Sequence, residues 1–491
     1  MKTVAALALS LFLLFLGSPP AGAAPTLVYS TPLSGGISDL AVDSAGNAYA
    51  LVDRGSFGHF VAKLSPLGEL IFLRQLELPP TEPLAPPREP LDIAIDPAGY
   101  IYVAGYADYY WECCHDDSYR VAFVAKLGPD GTGLLYDTYF WDGYNTEAHD
   151  LAVDALGRAH VRVTSRWPDK YGLDQSFGWS FSPAGSADGG FGAPANPSWW
   201  WSWYVNAMAL GPSGDLFGVG WGLQYSEEGY HLIAYLSRTD ASSGAVVETL
   251  IGDSEAIEPL DVAGAPGGGS VVVGEIWDWP TSLGFYIAGF GPAGEEVFSR
   301  VLNLGAAAIR DVAVTSSGQI VLSGAKRSAS GSLQDPFILR LDGGTGEIIS
   351  SMTGGWTVAV GPGGDVYVAM NGGVSRFTEN RPPVCSGATA SPSVIWPPNG
   401  KMIPVSILGV TDPESDLVVL KVTGISQDEP GAAFSGIGSS VAQVKAERDG
   451  KGDGRVYRIQ FEATDPTGAS CAGEVTVCVP HDRGKGSCAA R

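Results

Sequence analysis

The sequence predicts an all-β protein: a seven-bladed β-propeller closed by the N-terminal strand, plus a C-terminal immunoglobulin-like β-sandwich. Three observations predict it. Of 491 residues, 66 are Gly and 34 Pro, with 13 Trp and 19 Tyr but only 5 Met, a composition of short strands and turns. A phrase of about fifty residues recurs along the first three quarters of the chain, the mark of a repeat architecture. After a Pro-rich break near residue 380 the charge balance changes: residues 382–491 hold 10 basic and 12 acidic residues, so nearly all of the net charge of −24 lies before them. The excess of 53 Asp and Glu over 29 Lys and Arg argues against nucleic acid as a partner, because phosphate binding needs a basic surface. An anionic membrane surface would repel the chain as well.

Residues 1–23 read as a secretory signal peptide. Lys2 supplies the positive start, Val4 to Leu16 an apolar run, and Ala21-Gly22-Ala23 a small-residue cleavage site. The apolar run falls short of the ~20 residues a membrane helix needs, no Cys follows it to carry a lipid, and no later segment could span a bilayer. The mature chain is expected to start at Ala24, secreted and extracellular or at the cell surface, with no transmembrane helix.

The repeat occupies residues 24–379. Its first half is Asp39-Leu-Ala-Val-Asp43 with Gly46, then Asp92-Ile-Ala-Ile-Asp96 with Gly99, and Asp150-Leu-Ala-Val-Asp154 with Gly157. Looser copies lead to Gly214, Gly268, Gly318 and Gly364, so the turn glycines are 53, 58, 57, 54, 50 and 46 residues apart. A second half recurs as Phe60-Val-Ala-Lys-Leu64 and Phe123-Val-Ala-Lys-Leu127. Each copy offers four β-rich runs separated by turns, a meander that buries both faces only when packed between neighbours. The seventh copy stops after three runs. Its fourth stands at the mature N-terminus, where Leu27-Val-Tyr-Ser-Thr31 matches Leu134-Leu-Tyr-Asp-Thr138, which closes the ring and removes two open edges.

At these residues the chain resembles the seven-bladed β-propeller repeat family of bacterial secreted proteins, with the pattern D-x-A-x-D-x-x-G-x-x-Y-x-x-G over about three quarters of its length; NHL repeats share a similar phrase. The resemblance implies the fold and export, and no reaction. Ala207 and Thr357 replace the leading Asp in the fourth and seventh copies.

Residues 380–384 read as a linker. Residues 385–491 then carry six or seven short alternating runs, the strand content of an immunoglobulin-like sandwich. Val394-Ile-Trp-Pro-Pro-Asn-Gly-Lys401 and Ala463-Thr-Asp-Pro-Thr-Gly468 resemble an Ig-like module found at the C-terminal end of bacterial extracellular proteins, which implies a spacer or adhesive role. Export makes disulfides the first reading of the six cysteines. Local pairing of Cys385, Cys471, Cys478 and Cys488 leaves three choices, of which Cys385–Cys471 with Cys478–Cys488 is favoured, and adjacent Cys113 and Cys114 read as a vicinal disulfide. A metal site on Cys113, Cys114 and His115 is the competing reading.

The recurrent Asp39, Asp92, Asp150, Asp261 and Asp311 begin the first strand of five blades. The structural reading makes each an acceptor of hydrogen bonds near the channel; the functional one makes them oxygen ligands of Ca2+. Asp412, Glu414, Asp416 and Asp465 invite the same pair of readings in the C-terminal module. No other cofactor is implied. Meander parity places the 2–3 loops and the blade-to-blade connections on one face of the ring, and these long segments are aromatic. They contain Tyr109, Tyr110, Trp111, Trp199, Trp200, Trp201, Trp203, Tyr204, Trp277 and Trp279. Exposed aromatics beside carboxylates suit sugar rings; the competing reading is that they cap the blades as packing. The sequence holds no H-E-x-x-H, G-x-S-x-G or P-loop. The expected function is therefore non-enzymatic binding or scaffolding outside the cell, with a glycan or a protein as partner on the long-loop face. A carbohydrate-active hydrolase or lyase with a carboxylate site on that face is the alternative. Oligomeric state is left open.

Overall fold

The computed structural model describes residues 25–482 apart from 79–87, 111–117, 141–144, 167–173, 192–199, 227–228, 252–256, 279–280, 329, 371, 379–381, 414–416, 453 and 466–468. The signal-like segment, Trp111, Trp199, Trp279, Cys113, Cys114, Cys488, Glu414 and Asp416 lie outside the described residues. Two compact units are present, Leu27–Phe377 and Thr378–Arg491.

The first unit is built from antiparallel sheets in which consecutive strands are neighbours. The first sheet runs Gly36–Val42, Ala48–Asp53, His59–Leu64, Leu70–Gln75, and the second Glu89–Ile95, Ile101–Tyr110, Ser118–Leu127, Leu134–Phe140. The third and fourth repeats, starting with Asn145–Val153 and Trp200–Leu210, are joined into one eight-stranded sheet by a parallel bridge between Ser176 and Tyr204. Two more meanders start with Ile257–Gly264 and Ala307–Val314. In the last sheet Thr26–Pro32 lies beside Gly373–Thr378, followed by Val366–Met370 and Val358–Val360. The N-terminal strand thus supplies the missing fourth member. The first strands pack each on the next, and Val358–Val360 packs on Gly36–Val42, so the sheets close around a channel as a β-propeller.

Burial explains why single sheets suffice only in a ring. The apolar clusters lie between consecutive repeats: Leu51, Val61, Ile101, Val103 and Phe123 bind the first sheet to the second, while Val52, Leu64, Tyr367 and Val374 bind the last to the first. The motif's residues divide the remaining work. All seven turn glycines adopt positive φ, from 76° at Gly157 to 88° at Gly318, a conformation a β-carbon would penalise. The second Asp caps that turn: Asp96 Oδ1 accepts the Ala98 and Tyr100 N–H groups at 2.9 Å each, and Oδ2 the Tyr102 hydroxyl at 3.1 Å. The same hydroxyl lies 3.0 Å from the Gly157 carbonyl of the next repeat. On the outer strands Thr138 donates to the Gly185 carbonyl and Thr31 to that of Gly68, both at 2.7 Å. The equivalence of Thr31 and Thr138 is the one their sequence context predicts.

In the second unit the sheet Thr389–Ser391, Met402–Leu408, Val441–Lys445, Phe434–Ser435 and the sheet Val419–Gln427, Gly454–Thr464, Ser470–Pro480 share one core. Val405 and Val444 from one sheet meet Tyr457, Phe461 and Val477 from the other. Cys385 and Cys471 form a disulfide with Cα atoms 5.9 Å apart, and Cys478 is disulfide-bonded too.

Candidate binding site at the channel mouth

A cavity of about 660 Å³ occupies the channel, within the size range of small-ligand sites. Its wall is made by the first strands of successive repeats and includes Asp39, Asp92, Asp150, Asp261 and Asp311, together with His149, Arg162, Asn206, Arg310, Trp356 and Thr357. Val42, Ile95, Val153 and Val314, beside the short Gly turns, do not line it. The cavity therefore lies toward the other end of these strands, where register pairs Glu89 with Tyr106 and Tyr110 with Ser118 at the long second hairpin.

A β-bulge aims each Asp. The register slips between Ile37 and Asp39, Pro90 and Asp92, Pro259 and Asp261, and Ile309 and Asp311; in the third repeat it slips at Asp150 itself, which takes a positive φ of 29°. Bulges re-aim side chains, and here they turn each carboxylate to the next sheet. Asp39 accepts the Ile93 N–H at 3.0 Å, Asp92 that of Leu151 at 2.6 Å, and Asp150 that of Met208 at 3.3 Å. Asp261 accepts Val312 N–H at 2.7 Å, and Asp311 accepts Val358 N–H at 2.9 Å.

The two repeats without the Asp complete the circle with donors. Asn206, one residue before Ala207 and at the bulge, donates to the Pro259 carbonyl at 2.6 Å. The Thr357 hydroxyl lies 2.9 Å from Asp311 and 3.4 Å from Asp39. Reading Ala207 as an empty place in the ring thus misses Asn206 beside it. The side-chain type was the available signal, since Asn makes the same reach with opposite hydrogen-bond polarity.

Electrostatics in the channel are crowded. The carboxylates keep some surface open to the cavity, but protein surrounds them otherwise. Burial raises Asp39, and burial followed by neighbouring carboxylates raises Asp92 and Asp261 well above the ordinary range. Asp311 is pushed up to about 7, with burial the largest cause. Asp39 and Asp92 influence each other's ionisation. Arg162 faces Asp150 at 2.9 Å, and Arg310 stacks 5.5 Å from the Trp356 ring centre. Each of the five Asp places an oxygen on the neighbouring sheet. Among the described residues no group of three or more His, Cys, Asp or Glu is placed to hold a metal ion.

Outward from the channel the long-hairpin side carries a polar belt. His59 pairs with Glu89 at 3.0 Å, Arg120 stacks 4.1 Å from the Tyr106 ring centre and pairs with Glu147, and His149 Nε2 lies 3.0 Å from the Thr164 hydroxyl. The expected aromatic loops are largely strand here. Tyr109 and Tyr110 end Ile101–Tyr110, while Trp200, Trp201, Trp203 and Tyr204 begin Trp200–Leu210. Trp277 sits near the end of Ser270–Asp278 and donates to Glu258 at 3.1 Å. Trp and Tyr favour extended backbone, in keeping with these strand positions.

No family model matches the chain, and no curated protein does. Among solved structures it is similar to a GH74 xyloglucanase from Xanthomonas campestris, with 13% identity, 92% of this chain and 75% of that one covered, and a TM-score of 0.39. The β-propeller domain of the Trilobed protease from Pyrococcus furiosus is 8% identical, over 71% of this chain and 91% of that one, with a TM-score of 0.38. A protein of unknown function from Dyadobacter fermentans is 12% identical, over 58% of this chain and 93% of that one, with a TM-score of 0.40. At these scores the likenesses carry no argument about function.

Proposed function

We propose that this is an exported seven-bladed propeller with an Ig-like C-terminal module, acting as a non-enzymatic binding or scaffold protein that takes a glycan or a protein on its long-hairpin face. In this reading residues 1–23 are the removed signal, 24–379 the ring, 380–384 a linker and 385–491 the Ig-like module, with Cys478 paired to Cys488 and Cys113 to Cys114. The observation that carries the reading is the cavity at the channel, set toward the same end of the sheets as the strand-borne Trp and Tyr residues. A rigid ring with aromatic residues on the strands near one rim supports binding there, because aromatic anchors give large contact area at low entropic cost.

A glycan array followed by calorimetry tests it. Replacing Trp199, Trp201 and Trp203 together by Ala is expected to weaken the best ligand by more than about 1 kcal/mol with an unchanged melting curve. Replacing Pro66 and Pro129 by Ala on the opposite face should leave affinity unchanged. Loss of folding in the Trp variant would make these side chains packing and end the proposal.

A further inference from the structure

Among the described residues, five carboxyl groups, two guanidinium groups and one imidazole line the channel cavity. Thr357 has one hydroxyl hydrogen and two carboxyl neighbours, Asp311 at 2.9 Å and Asp39 at 3.4 Å. Asp92 is the next carboxyl along the same cavity wall. Two ionised carboxylates have four acceptor oxygens between them and no donor, so crowding them in one buried channel favours a retained proton. The run Asp311–Thr357–Asp39–Asp92 crosses the seam between the last and the first sheets, where the ring closes. The charged and titratable groups that face this run are Asp150 with its Arg162, Asp261, His149 and Arg310; Asn206 is neutral.

We propose that the channel carboxyls retain protons at neutral pH, shared between neighbouring sheets, so that the ring closure is a pH-sensitive lock that tightens on acidification and loosens as pH rises. The raised positions of Asp39, Asp92, Asp261 and Asp311 agree with the geometry. Their sign follows from linkage. A carboxyl raised in the folded state binds more protons folded than unfolded between about pH 4 and its raised value, so stability falls as pH climbs through that window. For Asp311 the window ends at about 7.

Infrared spectra of the intact protein at pH 7 should show the carbonyl stretch of protonated carboxyl groups, reduced in Asp92→Asn. Asn preserves the shape and supplies the shared hydrogen permanently, so the melting temperature of Asp92→Asn should be less sensitive to pH from 5 to 8 than that of the parent and higher than it at pH 8. Asp311→Asn provides a second variant should the first fail to fold. Absence of the protonated-carboxyl band from the parent at pH 7 would overturn the proposal. So would its displacement by millimolar Ca2+ alone, which would make the channel a cation site, or a folded Asp92→Asn that keeps the parent's pH profile.

Discussion

Asp39 and Asp43 lie four residues apart, one on an inner strand and the other at the turn that follows, and their surroundings are opposed. Asp43 is met by donors: the Ala45 and Asn47 N–H groups at 3.0 and 2.9 Å, the Asn47 side chain at 2.7 Å and the Tyr49 hydroxyl at 3.2 Å. Asp39 faces other acids. The same division recurs along the repeat. At the turns, burial alone would raise Asp154 and Asp215, but backbone N–H groups with Arg158 and Arg238 lower both below the ordinary carboxylate range. In the channel backbone N–H groups oppose burial without outweighing it, and the acids rise. Identity and spacing in the motif are shared; what differs is whether a cation can reach. Lys126 stands 3.5 Å from Asp96, and Arg376 2.6 Å from Asp365, because the third strand brings a basic side chain back over each of these turns. Near the channel carboxylates the lining guanidinium groups are Arg162, held by Asp150, and Arg310, with the His149 imidazole beside them.

The largest effect should come where both kinds of tie meet. The closing sheet has Thr357 at the channel, Tyr367 donating to the Gly46 carbonyl at 2.8 Å, Arg376 reaching the Pro66 carbonyl, and Thr31 on Gly68. Deleting residues 24–35 removes the fourth strand, so the ring should lose its cooperative melting transition, monitored by calorimetry. An unchanged transition would show that the sheets hold without closure and that neither set of aspartates is stressed by it.

Next in size is removal of a turn acid. Asp96→Ala strands Lys126, whose side chain is 10% exposed, and leaves the Tyr102 hydroxyl only the Gly157 carbonyl as acceptor. Breaking a buried pair on one side costs about 3–5 kcal/mol, to be read by chemical denaturation. A cost under about 1 kcal/mol would reduce these turns to ordinary surface pairs. The second unit serves as a control without such a ring. Replacing Cys385 and Cys471 by Ala should cost it about 2–4 kcal/mol, equally at pH 5 and pH 8.

The comparison also shows what could be read from sequence. Repeat, closing strand, turn glycines and the Cys385–Cys471 pairing follow from residue type and spacing, because each depends on local conformation or on strand order. The fourth and seventh copies look degenerate since Gly211 and Gly361 stand where a turn Asp belongs. In the fold Asp215 and Asp365, across the same turn, meet Arg238 at 2.8 Å and Arg376 at 2.6 Å. The charge moves by four residues and keeps its partner, which only the third strand's position reveals. Asn206 escapes notice for the related reason that a bulge shifts the side chain aimed into the channel by one residue. The cavity's Arg162 and Trp356 lie outside the motif, and nothing local marks them.

The smallest effect is also the sharpest, because the comparison predicts its sign. Asp261 accepts N–H groups from Val262 at 2.8 Å and Val312 at 2.7 Å, and neighbouring acids add to its burial. Asp215 accepts from Ser213 at 2.7 Å, Ala241 at 2.9 Å and Arg238 at 2.8 Å. Asp261→Asn removes a charge that burial and neighbours oppose and keeps an oxygen for Val312, so at pH 8 stability should stay within about 1 kcal/mol of the parent or exceed it. Asp215→Asn removes a charge that its donors favour and should cost about 1–3 kcal/mol. The pH profiles should separate too. A lowered carboxyl contributes stability above about pH 4 that is lost as pH falls through its folded value, whereas a raised one loses stability as pH rises above about 4. The parent should therefore be most stable in mildly acidic solution, with Asp215→Asn flattening the acid limb and Asp261→Asn the alkaline one. If both variants flattened the same limb, the two aspartates of the repeat would not be electrostatic opposites.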